Sequence, residues 1–148
     1  MKKVLIVLLI AMGLFSQHIY SQKQGNMTKQ QIVEVFLAGF NDQSKIQTSL
    51  ELLAEDYHFK NPMVELQSKE AFIALAKEMG KVLTGVEVIR YAADGEWVAA
   101  FYTFQSAIPG LERNLATEWF RIENGMIQES HLIYDASAWR KVYEQMEK

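Results

Sequence analysis

Apolar residues in the first half of the chain recur three or four positions apart, a spacing that predicts amphipathic helices. Three helices are predicted. The first begins at a capping box at Thr28 and ends at about Asn41, the second runs from about Lys45 to Ala54, and the third is capped by Ser68 and ends at Gly80. We expect Gly80 to end the third helix in the left-handed conformation. A short strand from Tyr57 to Asn61, ended by Pro62, separates the second helix from the third.

After residue 80 the apolar residues alternate with polar ones, and this period of two predicts long strands. The expected strands are Val82–Ala92, Glu96–Ala107, Glu112–Glu123 and Met126–Tyr134. Asn124-Gly125 is the strongest hairpin signal, because both central residues of the favoured turn need a positive φ. A last helix, capped by Asp135 or Ser137, has an apolar stripe that includes Trp139.

This order of elements predicts an α+β domain. We expect a cone-shaped, curved antiparallel sheet with the three N-terminal helices packed on its concave face, and a short C-terminal helix. The mouth of such a half-closed sheet is a usual place for a ligand pocket, so a pocket is expected between the helices and the sheet.

Glu118 is chemically the most unusual residue of the predicted strands. Alternation in its strand places Arg113 and Arg121 on one face and Glu118 and Phe120 on the other. The two arginines mark their face as the solvated one, so Glu118 is predicted to point into the core or into a cavity. An unpaired carboxylate is costly there, and its pKa is pushed upward.

The N-terminus has the pattern of an export signal. Lys2 and Lys3 precede an apolar run that ends at Phe15, and a polar stretch follows. The run is too short for a membrane span, which needs roughly 20 residues. We therefore predict that residues 1–21 are a signal peptide, cleaved after Ser21, and that the mature chain is periplasmic or secreted.

The rest of the chain has the length of one domain: residues 22–27 form a polar lead-in, and residues 28–148 form the domain. Loss of two leader lysines leaves 13 basic and 18 acidic residues, a net charge of −5 without a basic cluster. Nucleic acid and membranes are therefore not expected as partners.

The chain has no cysteine, which excludes disulfides and thiolate metal sites. With His58 and His131 as the only histidines of the mature chain, no metal is expected, and without a Gly-rich phosphate loop no cofactor is expected.

Two segments resemble a known superfamily. The segment Leu52–Pro62, LLAEDYHFKNP, and the segment Phe120–Ile127, FRIENGMI, combine with the order of elements to resemble the nuclear transport factor 2-like superfamily, in its SnoaL-like branch. The resemblance extends from Met27 to about Tyr143. It is specific for the fold, whereas members of this fold include isomerases, cyclases, epoxide hydrolases, dehydratases and binding domains.

The resemblance implies that two known catalytic constellations are incomplete in this chain. In ketosteroid isomerase relatives, the general-base aspartate before the proline falls on Asn61, and the oxyanion-hole tyrosine falls on Phe36. Their second oxyanion donor, a protonated aspartate, falls on Glu118. In polyketide cyclase relatives, the acid/base aspartate falls on Leu132, beside His131.

Glu118 and His131 are the candidate catalytic residues. Glu118 is expected to donate a hydrogen bond to a ligand oxygen as a neutral carboxyl, or to act as general acid/base. Its structural alternative is a carboxylate paired with Arg90, His131 or a backbone amide. His131 is either a proton relay or ligand contact, or an imidazole satisfied in the core or at its rim. The two side chains could face each other across the hairpin.

The predicted ligand-binding residues are Phe36, Tyr57, Phe59, Asn61, Phe120 and Leu132. Core packing is the alternative for the aromatic residues, and ordering of the turn into Pro62 is the alternative for Asn61. His58 has the opposite parity in its strand and is expected to point outward.

These features predict an exported domain that binds a small, largely apolar molecule carrying a carbonyl or hydroxyl. One alternative is a cofactor-independent isomerase, cyclase or hydrolase-like enzyme that uses Glu118, with His131, as acid/base. Another is a dimeric interaction platform whose cone is filled by side chains. Trp119, on the outer face of an aromatic-rich sheet, indicates a homodimer through that face.

Overall fold

The computed structural model describes residues 27–146, with side chains up to Glu144. The predicted signal peptide, residues 1–21, lies outside the described residues. Within residues 27–146, no helix is both long enough and apolar enough to cross a membrane.

The described helices are α1 (Lys29–Ala38), a 3₁₀ helix (Gly39–Asn41), α2 (Ile46–Leu50), α3 (Lys69–Met79) and α4 (Ser137–Met146). The capping box is confirmed: the Thr28 hydroxyl accepts from the Gln31 backbone N–H, and the Gln31 side chain accepts from the Thr28 N–H. Ser68 caps α3, because its hydroxyl accepts from the Ala71 N–H. Asp135 accepts from the N–H of Ser137 at the start of α4.

Two details of the predicted helices are wrong. α2 ends at Leu50 rather than Ala54, because Leu53 and Ala54 begin a strand in which both are buried. Gly80 ends α3 with a φ of −60°, which is right-handed. Its N–H still bonds to the carbonyl of Ala76 in the helical pattern, so no left-handed turn is needed at this end.

The strands form one six-stranded sheet in the spatial order β2-β1-β6-β5-β4-β3. Their limits are β1 (Leu53–Lys60), β2 (Glu65–Leu66), β3 (Leu83–Asp94), β4 (Trp97–Ser106), β5 (Arg113–Glu123) and β6 (Met126–Tyr134). The meander β3 to β6 is confirmed. Asn124 and Gly125 have φ values of 52° and 76°, as the tight hairpin turn requires.

The sheet differs from the prediction at the end that β1 and β2 form. β1 pairs with β6 in parallel, because the chain returns to β1 only after passing through α3 and the meander. β2 was not predicted, since two residues are too few for a periodic pattern. It pairs antiparallel with the end of β1.

Helices α1 and α3 cover the inner, concave face of this curved sheet. The Phe36 ring of α1 lies 5.7 Å from Phe120 of β5, and the Phe72 ring of α3 lies 5.2 Å from Tyr57 of β1. Register shifts in β3 and in the β5–β6 pair are bulges, which increase sheet curvature. Inner-face side chains of the central strands therefore point toward the space between sheet and helices.

Candidate ligand-binding cavity

A cavity of about 400 Å³ lies between the inner face of the sheet and helices α1, α3 and α4. This volume is within the range of small-molecule sites, roughly 300–1,000 Å³. The lining residues are Phe36, Leu37, Phe40, Phe59, Asn61, Met63, Val64, Phe72, Leu75, Ala76, Met79, Leu83, Val86, Tyr102, Phe104, Glu118, Leu132, Tyr134, Trp139 and Tyr143.

Glu118 reaches this cavity from the middle of β5 and is only 4% exposed. Both carboxyl oxygens accept hydrogen bonds: Ser130 Oγ donates to Oε1 at 2.6 Å, and Tyr102 Oη donates to Oε2 at 2.7 Å. Tyr57 Oη lies 2.6 Å from Ser130 Oγ. Because the hydrogen of Ser130 is directed to Glu118, Tyr57 is the donor in this last bond. The result is a buried network, Tyr57 to Ser130 to Glu118, joined by Tyr102.

Burial raises the pKa of Glu118, while the hydrogen bonds from Ser130 and Tyr102 act in the opposite direction. Burial also raises the pKa values of Tyr57 and Tyr102, and the neighbouring Glu118 charge raises them further. Both phenols therefore keep their protons and remain donors. Of the titratable groups in this network, Glu118 is the one that ionises at a lower pH than the two phenols.

The expected structural partners of Glu118 are not the ones that it has. Arg90 lies opposite Phe101, which is on the outer face of the sheet. Side-chain hydroxyls, rather than a cation or a backbone amide, bind the carboxyl. Among the described residues that line the cavity there is no lysine, arginine or histidine.

The predicted pairing of Glu118 with His131 is wrong. Glu118 lies opposite Leu132, and His131 lies opposite Trp119 on the outer face. A bulge changes the register between Arg121 and Ile122, so that every later residue of β6 is displaced by one position. A displacement of one residue moves a side chain to the other face of the sheet.

On the outer face, His131 has a side chain that is 44% exposed. Its Nε2 lies 3.5 Å from Glu129, and its ring lies 6.0 Å from the Trp97 ring. His131 therefore does not contact the cavity, and no acid–imidazole pair forms with Glu118.

The predicted wall residues divide into two groups. Phe36, Phe59, Asn61 and Leu132 line the cavity. Tyr57 and Phe120 do not, because each is fully buried behind it. Tyr57 packs against Phe72 and contributes through its hydroxyl to the network at Glu118, whereas Phe120 is a core residue beside Phe36.

Asn61 orders the turn that follows β1. Its Oδ1 accepts from the N–H groups of Met63 and Val64, at 2.7 and 2.8 Å. The prediction that Asn61 orders the turn is therefore confirmed. Asn61 also lies on the cavity wall, where its amide nitrogen is available to a ligand. His58 points outward as predicted and lies 2.9 Å from Glu65.

Tyr102 and Ser130 are the polar residues of the site that sequence reasoning missed. Tyr102 shares the inner face of β4 with buried Ala100 and Phe104, which lie two residues to either side of it, so the period of two carried the signal for its direction. Ser130 is directed inward only because of the bulge, which no pattern in the sequence marks.

The helices on the concave face of a curved, unclosed sheet, with a cavity between them, define an α+β cone of the nuclear transport factor 2-like type. The sequence profile of the SnoaL-like domain matches residues 33–130, about two thirds of the chain. The chain therefore belongs to the SnoaL-like domain family. A search of curated protein sequences finds no significant match.

Solved structures share the fold at low sequence identity. An NTF2-like protein of unknown function from Cytophaga hutchinsonii is 19% identical, with a TM-score of 0.65 over 80% of this chain and 96% of the other. A protein proposed to be a polyketide cyclase, from Xanthomonas campestris pv. campestris, is 19% identical, with a TM-score of 0.64 over 75% and 93%. An LEH-like epoxide hydrolase from Mycobacterium tuberculosis is 22% identical, with a TM-score of 0.63 over 75% and 85%.

Proposed function

We propose that this protein is an exported small-molecule-binding domain, with the cavity at Glu118 as its binding site. The observation that carries the proposal is the combination of an apolar cavity with one buried, hydrogen-bonded carboxyl on its wall. Ligand sites are commonly apolar clefts with a few polar groups that fix the ligand's orientation. The signal-like N-terminus supports export.

The proposed ligand is a small, largely apolar molecule with one carbonyl or hydroxyl near Glu118. A carbonyl would accept a hydrogen bond from the neutral carboxyl, and a hydroxyl would donate one to the carboxylate. Asn61, which also lines the cavity, offers amide hydrogens to a second ligand oxygen. The remaining walls are almost entirely aromatic, aliphatic or thioether side chains, which suit an apolar body.

Acid/base catalysis at Glu118 is the second candidate function. A buried carboxyl with a raised pKa in a cavity is a typical general acid/base, and one structural relative is an LEH-like epoxide hydrolase. His131 is not part of this proposal, because it lies on the outer face. The positions of the general base and the phenol in the isomerase relatives are occupied here by Asn61 and Phe36, which supply neither group. Tyr102, from another strand, does supply a phenol beside Glu118.

A thermal-shift screen tests the binding function. Apolar molecules with one carbonyl or hydroxyl are screened against the wild type and the Glu118→Gln and Glu118→Ala variants. A ligand at a hundred times its dissociation constant adds about 2.7 kcal/mol of stability, which is a shift of several degrees. Shifts that weaken in both variants support binding at Glu118. Equal shifts in all three proteins would place the ligand elsewhere, and the absence of any shift would contradict the proposal.

A further inference from the structure

The cavity wall carries one acidic side chain and no positive counterpart. Glu118 is the one Asp or Glu among the described lining residues, and the same set contains no lysine, arginine or histidine. The hydrogen-bond partners of the carboxyl are two neutral hydroxyls, from Ser130 and Tyr102. A negative charge on Glu118 is therefore not neutralised by any described side chain on the wall.

The hydrogens of the network already match its acceptors when the carboxyl is ionised. Tyr57 donates to Ser130, Ser130 donates to Glu118, and Tyr102 donates to Glu118. Each of the three hydroxyl hydrogens therefore has an acceptor even when Glu118 carries no proton. A carboxylate has about four acceptor positions, so two remain for donors from a ligand.

Aromatic rings make up much of the rest of the wall. They come from the sheet, from α1, α3 and α4, and from the 3₁₀ helix, and they are Phe36, Phe40, Phe59, Phe72, Tyr102, Phe104, Tyr134, Trp139 and Tyr143. Aromatic rings attract organic cations through their electron-rich faces, and they also pack well against apolar groups. One carboxylate among aromatic rings is a combination that recognises an ammonium group attached to an apolar body.

We propose that the cavity binds a monoamine with an apolar body, whose protonated nitrogen pairs with the Glu118 carboxylate. This inference rests on the proposed binding function and extends its ligand from carbonyls and hydroxyls to amines. A carbonyl is the poorer partner of the ionised carboxylate, which has no proton to donate, and the hydroxyl hydrogens of Ser130 and Tyr102 are committed to the carboxyl. An ammonium donates to the free acceptor positions and supplies the missing positive charge, which offsets the cost of burying both ions.

Charge at the site gives amines and carbonyls opposite pH dependences. The titratable groups that face Glu118 are Tyr57 from β1 and Tyr102 from β4, and Tyr134 and Tyr143 also line the cavity. Burial raises the pKa of each of these phenols, so they stay neutral while Glu118 titrates. Amine binding therefore strengthens as the pH rises through the pKa of Glu118, whereas carbonyl binding weakens.

The test is calorimetric titration with matched ligands that differ only in the polar group. 4-Phenylbutan-2-amine, 4-phenylbutan-2-ol and benzylacetone (4-phenylbutan-2-one) form one set, and benzyl and cyclohexyl sets vary the apolar body. We expect the amine to bind most tightly at neutral pH and to lose about 30-fold or more in affinity in Glu118→Gln, since a buried charge loses its partner. Glu129→Gln, which removes an outer-face carboxylate from the adjacent strand, is the control and is expected to bind the amine like the wild type.

The outcomes separate this inference from the binding function beneath it. If alcohols or ketones bind and amines do not, or if Glu118→Gln binds amines as tightly as the wild type, the amine inference is overturned and the binding function stands. Amine binding that weakens with rising pH in the range where Glu118 titrates also overturns it. If no compound of any set binds at any pH, both proposals fall.

Discussion

Ser130 Oγ donates a 2.6 Å hydrogen bond to Glu118 Oε1 across the β5–β6 pair, and both side chains are buried. The two residues are diagonal neighbours, since Ser130 lies opposite Phe120. Tyr57 of β1 completes this chain of hydrogen bonds, and Tyr102 of β4 binds the other carboxyl oxygen. The Glu118 carboxyl therefore connects β1, β6, β5 and β4. Glu118 is therefore expected to affect both stability and ligand binding.

Substitutions at Glu118 should separate its hydrogen bonds from its charge. Glu118→Gln keeps the shape and can still accept from Tyr102 or Ser130, so we expect a change within about 1 kcal/mol in the free energy of unfolding. Glu118→Ala leaves two hydroxyls without an acceptor and opens a void, which should cost about 2–4 kcal/mol. Urea denaturation measures both. An alanine variant as stable as the wild type would show that the network contributes nothing to folding.

The raised pKa of Glu118 predicts a stability that falls as the pH rises. Between its ordinary value of 4.5 and the raised folded-state pKa, the folded protein holds a proton that the unfolded chain has lost. Folding is therefore favoured below this window, and the advantage is lost as the pH rises through the folded-state pKa, at up to ~1.4 kcal/mol per pH unit.

Glu118→Gln is the matched control for this pH dependence, because it removes this titration and keeps the others. The difference in unfolding free energy, wild type minus variant, should decrease from pH 4.5 upward and then become constant. A difference that stays flat, or increases with pH, would mean that the folded-state pKa of Glu118 is not raised.

The relay from Tyr57 to Ser130 predicts a non-additive pair of substitutions. Ser130→Ala leaves the Tyr57 hydroxyl and Glu118 Oε1 without their partner and should cost about 1–3 kcal/mol. Once Ser130 is gone, Tyr57→Phe removes a hydroxyl that is already unpaired, so the double variant should be more stable than the sum of the single effects predicts. Chemical denaturation of the four proteins measures this coupling, and strict additivity would argue against a continuous relay.

Much of this site could be predicted from the sequence, because the face of the sheet to which a side chain points depends on its own strand alone. Alternation in β5 placed Glu118 inward, and alternation in β1 placed His58 outward. The choice of its partners depends on the register between strands. With regular pairing from the Asn124-Gly125 turn, Glu118 would lie opposite His131, and the bulge replaces His131 by Leu132. A bulge follows from the packing of the whole sheet, so local residue patterns did not reveal it.

Four exposed apolar side chains on the outer face of the sheet form a patch that supports the homodimer predicted from the sequence. They are Phe101 (41% exposed), Leu115 (58%), Trp119 (45%) and Ile133 (56%). Thr117 lies between them, opposite Phe101 on β4 and Ile133 on β6. A group of exposed apolar side chains of this kind on central strands typically marks an interface.

A charge in this patch should therefore separate the protomers. Size-exclusion chromatography with light scattering at micromolar concentration should give a dimer for the wild type and a monomer for Trp119→Glu and Phe101→Glu, because each would bury an unpaired carboxylate. Val35→Glu is the matched control: Val35 is also exposed, at 38%, but it lies on α1, away from the outer face. A monomeric wild type, or a dimer that survives both substitutions, would exclude this face as the interface.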